Sequence, residues 1–216
     1  MRRSYETSRA DRGVGSVVLM ESIEARKLAL RDQLVTGRGR RSLLEVSEGA
    51  RALAEHLLAT PDVRRAASVA AYVSIGKEPG TGPLIEQLHA LGRRVLLPIV
   101  LPDNDLDWAA YDGPDSLERR RGLLEPAGRR LGPEAVATAD VVLTPGLAVD
   151  RTGMRLGRGG GCYDRALGRV PVGTFTCTLL YDDELLGADI PAAPHDRRVT
   201  AVVTPAGVSR LARGRG

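Results

Sequence analysis

Cysteine is scarce in this 216-residue sequence, and long apolar runs are missing from it. Cys162 and Cys177 allow at most one disulfide, and neither has Cys or His neighbours at metal-site spacing, so we expect reduced thiols. The longest apolar stretches, such as residues 95–101, are far shorter than the roughly 20 residues of a membrane span, and no tripartite leader opens the chain. These absences predict a cytoplasmic protein that does not associate with membranes.

Aromatic residues are also few, at 3% of the sequence, which leaves little to stack on single-stranded nucleic acid. The formal charge is +4 and the pI is near 9.4, yet Lys27 and Lys77 are the only lysines. The arginine clusters at residues 38–41, 119–121 and 129–130 are scattered along the chain rather than gathered on one predicted helix face. A basic nucleic-acid-binding protein is therefore the least favoured function.

The hydrophobic content of 43% is that of a globular chain, and its length suffices for a sizeable core. Residues 1–20 mix charge, Ser and Gly without a period, and we expect a loose N-terminal extension there. Residues 21–207 are expected to form a single α/β domain, followed by an Arg/Gly-rich tail over residues 208–216. We expect a monomer.

Hydrophobic periodicity places the secondary structure. Helices are predicted over residues 22–35, 42–59 and 83–91, the second opened by a capping box at Ser42. Short apolar runs predict strands over residues 67–75, 94–98, 106–111, 141–144, 172–180 and 199–203. Buried strands that alternate with helices are typical of a three-layer sandwich with a largely parallel central sheet flanked by helices, which is the predicted fold class.

The segment RLGRGGGCYDR, residues 155–165, is the most unusual in the chain. Its glycines let backbone amides approach an anion, and a helix predicted from Tyr163 would add its positive N-terminal end. Arg155 and Arg158 carry guanidinium groups whose geometry matches phosphate. The segment is neither a Walker A loop nor a GxGxxG fingerprint. It predicts a phosphate-binding loop, with a mobile glycine hinge as the alternative.

Acidic residues follow other predicted strands, at the sheet edge where α/β proteins bind ligands. Asp164 and Asp196 could together hold Mg²⁺ that bridges nucleotide phosphates; they could equally pair with the arginines that follow them. Glu78 could accept hydrogen bonds from a heterocyclic ligand, or be an exposed loop charge. His195 is interpreted as structural rather than as a general acid or base.

These motifs, in this order, resemble the 5-formyltetrahydrofolate cyclo-ligase family, also called 5,10-methenyltetrahydrofolate synthetases. The resemblance covers roughly residues 22–205, and its most specific part is the glycine-rich segment with TPGLAVD upstream, at residues 144–150. It also includes Lys27 with Arg31, residues 78–81, 96–98 and 122–126, and the Pro194-His195-Asp196 triplet.

The resemblance implies an ATP- and Mg²⁺-dependent enzyme that cyclises 5-formyltetrahydrofolate to 5,10-methenyltetrahydrofolate and releases ADP and phosphate. It implies folate contacts for Glu78, which would hold the pterin, and for residues 158–162, and it implies Mg²⁺ binding by Asp164 and Asp196. Lys27, Arg155 and Arg158 would be catalytic, because phosphoryl transfer needs positioning and charge neutralisation. The implied ATP-binding residues are Lys27, Arg31, Arg155, Leu156, Gly157, Arg158, Gly159, Gly160, Gly161, Cys162 and Tyr163.

Two positions depart from the family pattern. Cys162 stands where the family usually has a tyrosine, which implies either a lower affinity for the pterin or aromatic packing by Tyr163, Tyr72 or Trp108. Ala193 stands where a glutamate often precedes Pro-His-Asp, which could weaken Mg²⁺ binding. The departures keep open an alternative function, a non-catalytic nucleotide- or folate-binding homologue.

Overall fold

The computed structural model describes residues 11–211, and it describes side chains from residue 22 onward. Five α-helices lie within this part of the chain, together with three short 3-10 helices at Pro114–Ser116, Pro133–Thr138 and Asp182–Glu184. The α-helices are α1 (Asp11–Gly39), α2 (Leu43–Ala59), α3 (Pro61–Arg65), α4 (Gly82–Ala90) and α5 (Cys162–Arg169). None of the described helices is long and apolar enough to cross a membrane.

Twelve strands lie in the described part of the chain. They are β1 (Ser68–Ala70), β2 (Arg94–Val100), β3 (Leu106–Ala110), β4 (Leu117–Arg120), β5 (Leu123–Pro126), β6 (Val141–Pro145), β7 (Ala148–Asp150), β8 (Arg155–Leu156), β9 (Phe175–Leu179), β10 (Leu185–Leu186), β11 (Ala201–Thr204) and β12 (Gly207–Arg210).

Seven of these strands form the central sheet, in the order β12-β11-β9-β6-β1-β2-β3. The five inner strands run parallel, and only the edge strands β12 and β3 pair antiparallel. A small sheet of β10, β7 and β8 and the β4–β5 hairpin lie outside it. The predicted α/β class with a largely parallel sheet is confirmed.

Both faces of the central sheet are covered, which explains why its strands read as continuous apolar runs. On one face Leu53 and Leu57 of α2 and Leu84 of α4 join the same core cluster as Val69 and Leu97. On the other face Ala166 of α5 and Val136 of the second 3-10 helix pack with Leu96 and Val142. The three layers are thus helix, sheet and helix, and α5 is held so that its first turn lies at the sheet edge.

The capping box predicted at Ser42 is present. The Ser42 side chain accepts a hydrogen bond from the Glu45 amide at 3.2 Å, and the Glu45 carboxylate accepts one from the Ser42 amide at 2.6 Å. These bonds satisfy two amides that a helix start otherwise leaves unpaired. At the other end α2 stops at Ala59 before Thr60-Pro61, as predicted.

Several boundaries differ from the sequence-based expectation. Helix α1 starts at Asp11, so residues 11–20 of the expected loose extension are helical, while residues 1–10 lie outside the described part. Strand β12 extends to Arg210, into the expected tail, whose residues 212–216 also lie outside it.

Strand β1 is much shorter than the predicted strand at residues 67–75. The Ala71 amide still donates to the Leu96 carbonyl of β2 at 2.9 Å, but beyond it backbone groups bond to side chains instead of the neighbouring strand. The Ser74 amide donates to Thr81 Oγ1 at 3.0 Å, and Thr81 Oγ1 donates to the Tyr72 carbonyl at 2.7 Å. The apolar residues that follow β1 therefore line a loop, and this loop carries Glu78 to the sheet edge.

Candidate active site

A cleft of about 400 Å³ opens at the carboxyl ends of the parallel strands. Tyr72 follows β1, Val100 ends β2 and Pro145 ends β6, and all three line it. Helix α1 and the glycine-rich segment form further walls. This is the position at which open α/β sheets bind ligands.

The glycine-rich segment runs from β8 into α5, and residues 155–164 of it line the cleft. Gly159 and Gly161 have φ angles of +105° and +70°, left-handed conformations that residues with a Cβ rarely adopt. Gly161 is the residue before the first turn of α5, so the chain bends there to bring the helix N-terminus to the cleft. The unpaired amides and the helix dipole make this a favourable place for an anion.

Arg155 is buried beside this segment. Its guanidinium donates to Asp164 Oδ2 at 3.0 Å and to the Pro145 carbonyl at 3.2 Å. Its Nε is buried and has no hydrogen-bond partner among the described residues. Arg155 is thus a cation fixed at the cleft wall with hydrogen-bonding capacity unused.

Lys27 of α1 is 3% exposed and lies against Asp196, with Nζ 2.5 Å from Oδ2. The Ala193 amide donates to the same oxygen at 2.6 Å. Burial by itself raises the pKa of Asp196, but the bond from the Ala193 amide and the nearby Lys27 ammonium lower it, and the net shift is below the ordinary value. Asp196 is therefore ionised at neutral pH and is held in place from both sides.

Arg31 lies one helical turn after Lys27, on the same face of α1, and both line the cleft. Its Nε donates to the Gly157 carbonyl at 3.0 Å, which joins α1 directly to the glycine-rich segment. Glu24, three residues before Lys27, lies 3.6 Å from its Nζ and 3.7 Å from the Arg31 guanidinium.

Glu78 is buried at the cleft, where one oxygen accepts a hydrogen bond from the Ile75 amide at 3.0 Å. The other oxygen accepts from Arg158 Nε at 3.1 Å. The Arg158 side chain is 56% exposed, against 7% for Glu78. Glu78 is thus a fixed carboxylate and Arg158 a guanidinium that can turn toward a ligand.

Asp164 and Asp196 are the candidate metal ligands. Both line the cleft, and the Arg197 amide donates to Asp164 Oδ1 at 3.1 Å, so the loop that carries Asp196 is tied to Asp164. Within residues 22–211 no group of three or more His, Cys, Asp or Glu side chains is placed to hold a metal. Two carboxylates without a full protein cage fit Mg²⁺, which commonly uses one or two carboxylates plus phosphates and waters.

Two of the three aromatic residues that could replace the ring missing at position 162 line the cleft. Tyr72 and Tyr163 line the cleft, and burial raises the pKa of both phenols, so they are neutral. Trp108 is completely buried in the core and does not line the cleft. Its proposed role in packing a ligand was wrong, because β3 turns its side chain into the layer beneath α5.

Apart from Trp108, the residues that the sequence suggested for the site all line this one cleft: Lys27, Arg31, Tyr72, Glu78, Arg155, Leu156, Gly157, Arg158, Gly159, Gly160, Gly161, Cys162, Tyr163, Asp164 and Asp196. Their individual roles stay predictions. Glu24 and Glu125 also line it and were not predicted. The signal for Glu24 was its spacing of three residues from Lys27, and Glu125 lay within the GLLEP motif without an assigned role.

The fold and the cleft define an α/β enzyme with a glycine-rich loop at the carboxyl edge of its sheet. A family model described as the 5-formyltetrahydrofolate cyclo-ligase family matches residues 23–205, and the chain belongs to this family. It is 44% identical over 143 residues to the 5-formyltetrahydrofolate cyclo-ligase of Mycolicibacterium smegmatis, covering 64% of this chain and 73% of that protein. It is 34% identical over 164 residues to the Escherichia coli K12 protein of the same name, covering 72% and 87%.

Solved structures give the same assignment. The 5,10-methenyltetrahydrofolate synthetase of Aquifex aeolicus superposes with a TM-score of 0.74 at 29% identity, covering 88% of this chain and 95% of that one. The Mycoplasma pneumoniae synthetase, at 22% identity and a TM-score of 0.66, supports the fold alone; 83% of this chain and 98% of that one are covered.

Proposed function

We propose that the protein uses ATP and Mg²⁺ to cyclise 5-formyltetrahydrofolate to 5,10-methenyltetrahydrofolate, with release of ADP and phosphate. One observation carries the proposal. The cations Lys27, Arg31, Arg155 and Arg158 meet the carboxylates Glu78, Asp164 and Asp196 in a single cleft lined by the glycine-rich loop. This arrangement suits a triphosphate on one side and a heterocycle on the other. The names of the similar proteins support the same reaction.

The first chemical step is a phosphoryl transfer. The formyl oxygen of the folate attacks the γ-phosphorus, the bond to the bridging oxygen breaks, and ADP leaves with that electron pair. The N5 lone pair moves into a carbon–nitrogen double bond, so the product is a phosphorylated imidate. No protein nucleophile is needed, because the barrier is lowered mainly by positioning and by neutralising charge. Lys27, Arg31 and Arg155 supply that charge from fixed positions.

The second step closes the ring. N10 adds to the activated carbon and loses its proton to water, and inorganic phosphate leaves with the carbon–oxygen electron pair. The residues that line the cleft contribute by holding N10 close to that carbon. The loop N-terminal to α5 stabilises the departing phosphate through its amides.

Asp164 and Asp196 are the residues that would hold Mg²⁺. When bound, Mg²⁺ supplies charge neutralisation at the phosphate oxygens. Arg155 and the Arg197 amide orient Asp164, and Lys27 and the Ala193 amide orient Asp196. The missing glutamate at position 193 is not needed for this orientation, since the backbone amide of Ala193 makes the bond.

The direct test is to incubate the protein with 5-formyltetrahydrofolate, ATP and MgCl₂ and to record the near-ultraviolet absorbance of the methenyl product. We expect product only when all three are present, and none after chelation with EDTA. No product at high enzyme and substrate concentrations would refute the proposed reaction. Calorimetric binding of ATP or folate without phosphate release would select the alternative, a non-catalytic binding homologue.

Asp164→Asn tests the metal role. It keeps the shape of the side chain but removes the charge, and we expect kcat/KM to fall at least about a hundredfold. The variant should still fold, with a lower unfolding temperature because the buried Arg155 loses its charged partner. Asp189→Asn is the matched control, because Asp189 is exposed and lies outside the cleft. Wild-type turnover by Asp164→Asn would remove Asp164 from the proposed metal site.

A further inference from the structure

Glu125 is a buried carboxylate at the cleft that the proposed mechanism does not use. It lies on β5 of the β4–β5 hairpin and is 7% exposed. Its Oε1 accepts a hydrogen bond from the Val100 amide at 2.9 Å. Its Oε2 has no hydrogen-bond or ion-pair partner among residues 22–211, and it is not among the fully buried side-chain atoms that lack a partner. Because Glu125 lines the cleft, this oxygen is free to accept a hydrogen bond from a ligand there.

Glu78, another carboxylate that lines the cleft, is in a different state. The Ile75 amide and Arg158 bond to its two oxygens, so Glu78 has to exchange a partner before it can accept a hydrogen bond from a ligand. Glu125 needs no such exchange. In the ligand-free protein it is the more available acceptor for a donor entering the cleft.

The surroundings of Glu125 restrict what that donor can belong to. The cleft wall around it is apolar and is built by Pro98, Val100, Leu106, Leu123 and Leu124. Such a wall suits the face of a flat ring, and a single carboxylate within it suits N–H groups on the edge of that ring.

The two heterocycles of the proposed reaction differ at their edges. The amino-pyrimidinone ring of a reduced pterin presents two adjacent donors, the 2-amino group and N3–H. Adenine presents one amino group flanked by nitrogen lone pairs, which a carboxylate repels. A carboxylate therefore matches the pterin edge better than the adenine edge.

Building on the proposed function, we infer that Glu125 binds the pterin ring of the folate, with Oε2 accepting from the amino-pyrimidinone edge. Glu125 is then a substrate-specificity residue that acts beside Glu78. The hydrogen bond from Val100 positions it, because that bond fixes the carboxylate at the end of β2.

Glu125→Gln tests this inference. The amide oxygen can still accept from Val100, but the group facing the ligand becomes a donor. We expect the Kd for 5-formyltetrahydrofolate, measured by calorimetry, to rise about tenfold to a hundredfold, with a parallel rise in its KM. The KM for ATP should change less than about twofold. The matched control is Glu118→Gln, because Glu118 is the exposed cross-strand partner of Glu125 in the same hairpin.

An unchanged folate Kd, or a rise confined to the KM for ATP, would overturn the assignment. If the wild-type protein binds folate but forms no product, the proposed reaction fails, whereas the comparison of Kd values still decides the role of Glu125.

A ligand-side measurement covers the case in which Glu125→Gln does not fold. An analogue of 5-formyltetrahydrofolate without the 2-amino group should bind the wild-type protein about tenfold or more weakly. If the variant folds, it should bind the analogue less than about twofold more weakly than it binds 5-formyltetrahydrofolate. The reason is that Glu125 and the 2-amino group belong to one interaction. Equal affinity of the wild-type protein for both folates would overturn the inference.

Discussion

The ion pair between Arg38 and Glu184 gives a stringent test of how the cleft is built. Arg38, near the end of α1, is 5% exposed and Glu184 is 2% exposed. The guanidinium donates to the two carboxylate oxygens at 2.7 and 2.8 Å, and also to the Gly146 carbonyl at 2.6 Å. Glu184 in turn accepts from the Tyr181 amide at 3.0 Å. The pair therefore ties α1, which carries Lys27, to the loop that follows β6.

Arg38→Met removes the cation and leaves the Glu184 carboxylate buried without compensation. Breaking one side of a buried pair typically costs about 3–5 kcal/mol. For a chain of this length that corresponds to a fall in Tm of roughly 6–20 °C. Urea denaturation followed by circular dichroism would measure the free energy of unfolding, and calorimetry would measure the Tm.

Two further variants separate lost charge pairing from lost packing. Arg38→Met combined with Glu184→Leu leaves no buried charge and should regain most of the stability, because apolar replacement of a whole buried pair is often neutral or stabilising. Arg40→Met, at an exposed arginine of the adjoining turn, should stay within about 0.5 kcal/mol of the wild-type protein. A loss below about 1 kcal/mol for Arg38→Met, or no recovery in the double variant, would refute the reasoning.

Other predictions concern the loops that carry the site. The pKa of Asp150 is raised by burial but lowered more by hydrogen bonds from Thr152, Ile190 and Met154, and the net shift is downward. Asp150→Asn should therefore cost about 1–3 kcal/mol at pH 7. This difference in the free energy of unfolding should shrink as the pH falls below about 3.9, because the wild-type carboxyl then loses its charge too. Urea midpoints at several pH values measure the difference, and a difference that does not change with pH would contradict the prediction. Gly159→Ala should raise the KM for ATP, because Gly159 has a φ of +105° that alanine rarely adopts. Gly37→Ala in α1 should stabilise the protein by up to about 1 kcal/mol with unchanged kinetics, since an added Cβ there has no neighbour within 4 Å. Equal KM values for the two glycine variants would remove Gly159 from the anion-binding loop.

The strands of the central sheet could be predicted from the sequence, because a strand buried on both faces appears as a continuous run of apolar residues. The runs at residues 94–98 and 141–144 became β2 and β6 with boundaries within two residues. The short strands β7, β8 and β10 were missed. They hold two or three residues each, and their pairing depends on partners distant in the chain, so no window of sequence reveals them.

The candidate site likewise contains residues that the sequence predicted and others, such as Glu125, that it did not. Glycine, arginine and carboxylate residues in a recognisable order were enough to nominate the loop at residues 155–165, Lys27 and Asp196. Glu125 was hidden, since a glutamate in a hairpin normally faces solvent. Its importance depends on burial against Val100, which only the packing of the hairpin on β2 produces.

The sequence by itself determined the alternation of buried strands and helices, the capping of α2 and the chemistry that the glycine-rich segment can offer, because each of these depends on neighbours within a few residues. Tertiary structure decided which charges meet. Lys27 and Asp196 are 169 positions apart and Arg158 and Glu78 are 80 apart, yet both pairs are in contact. Contacts at such separations depend on the spatial order of the parallel strands, and that order is a property of the whole sheet.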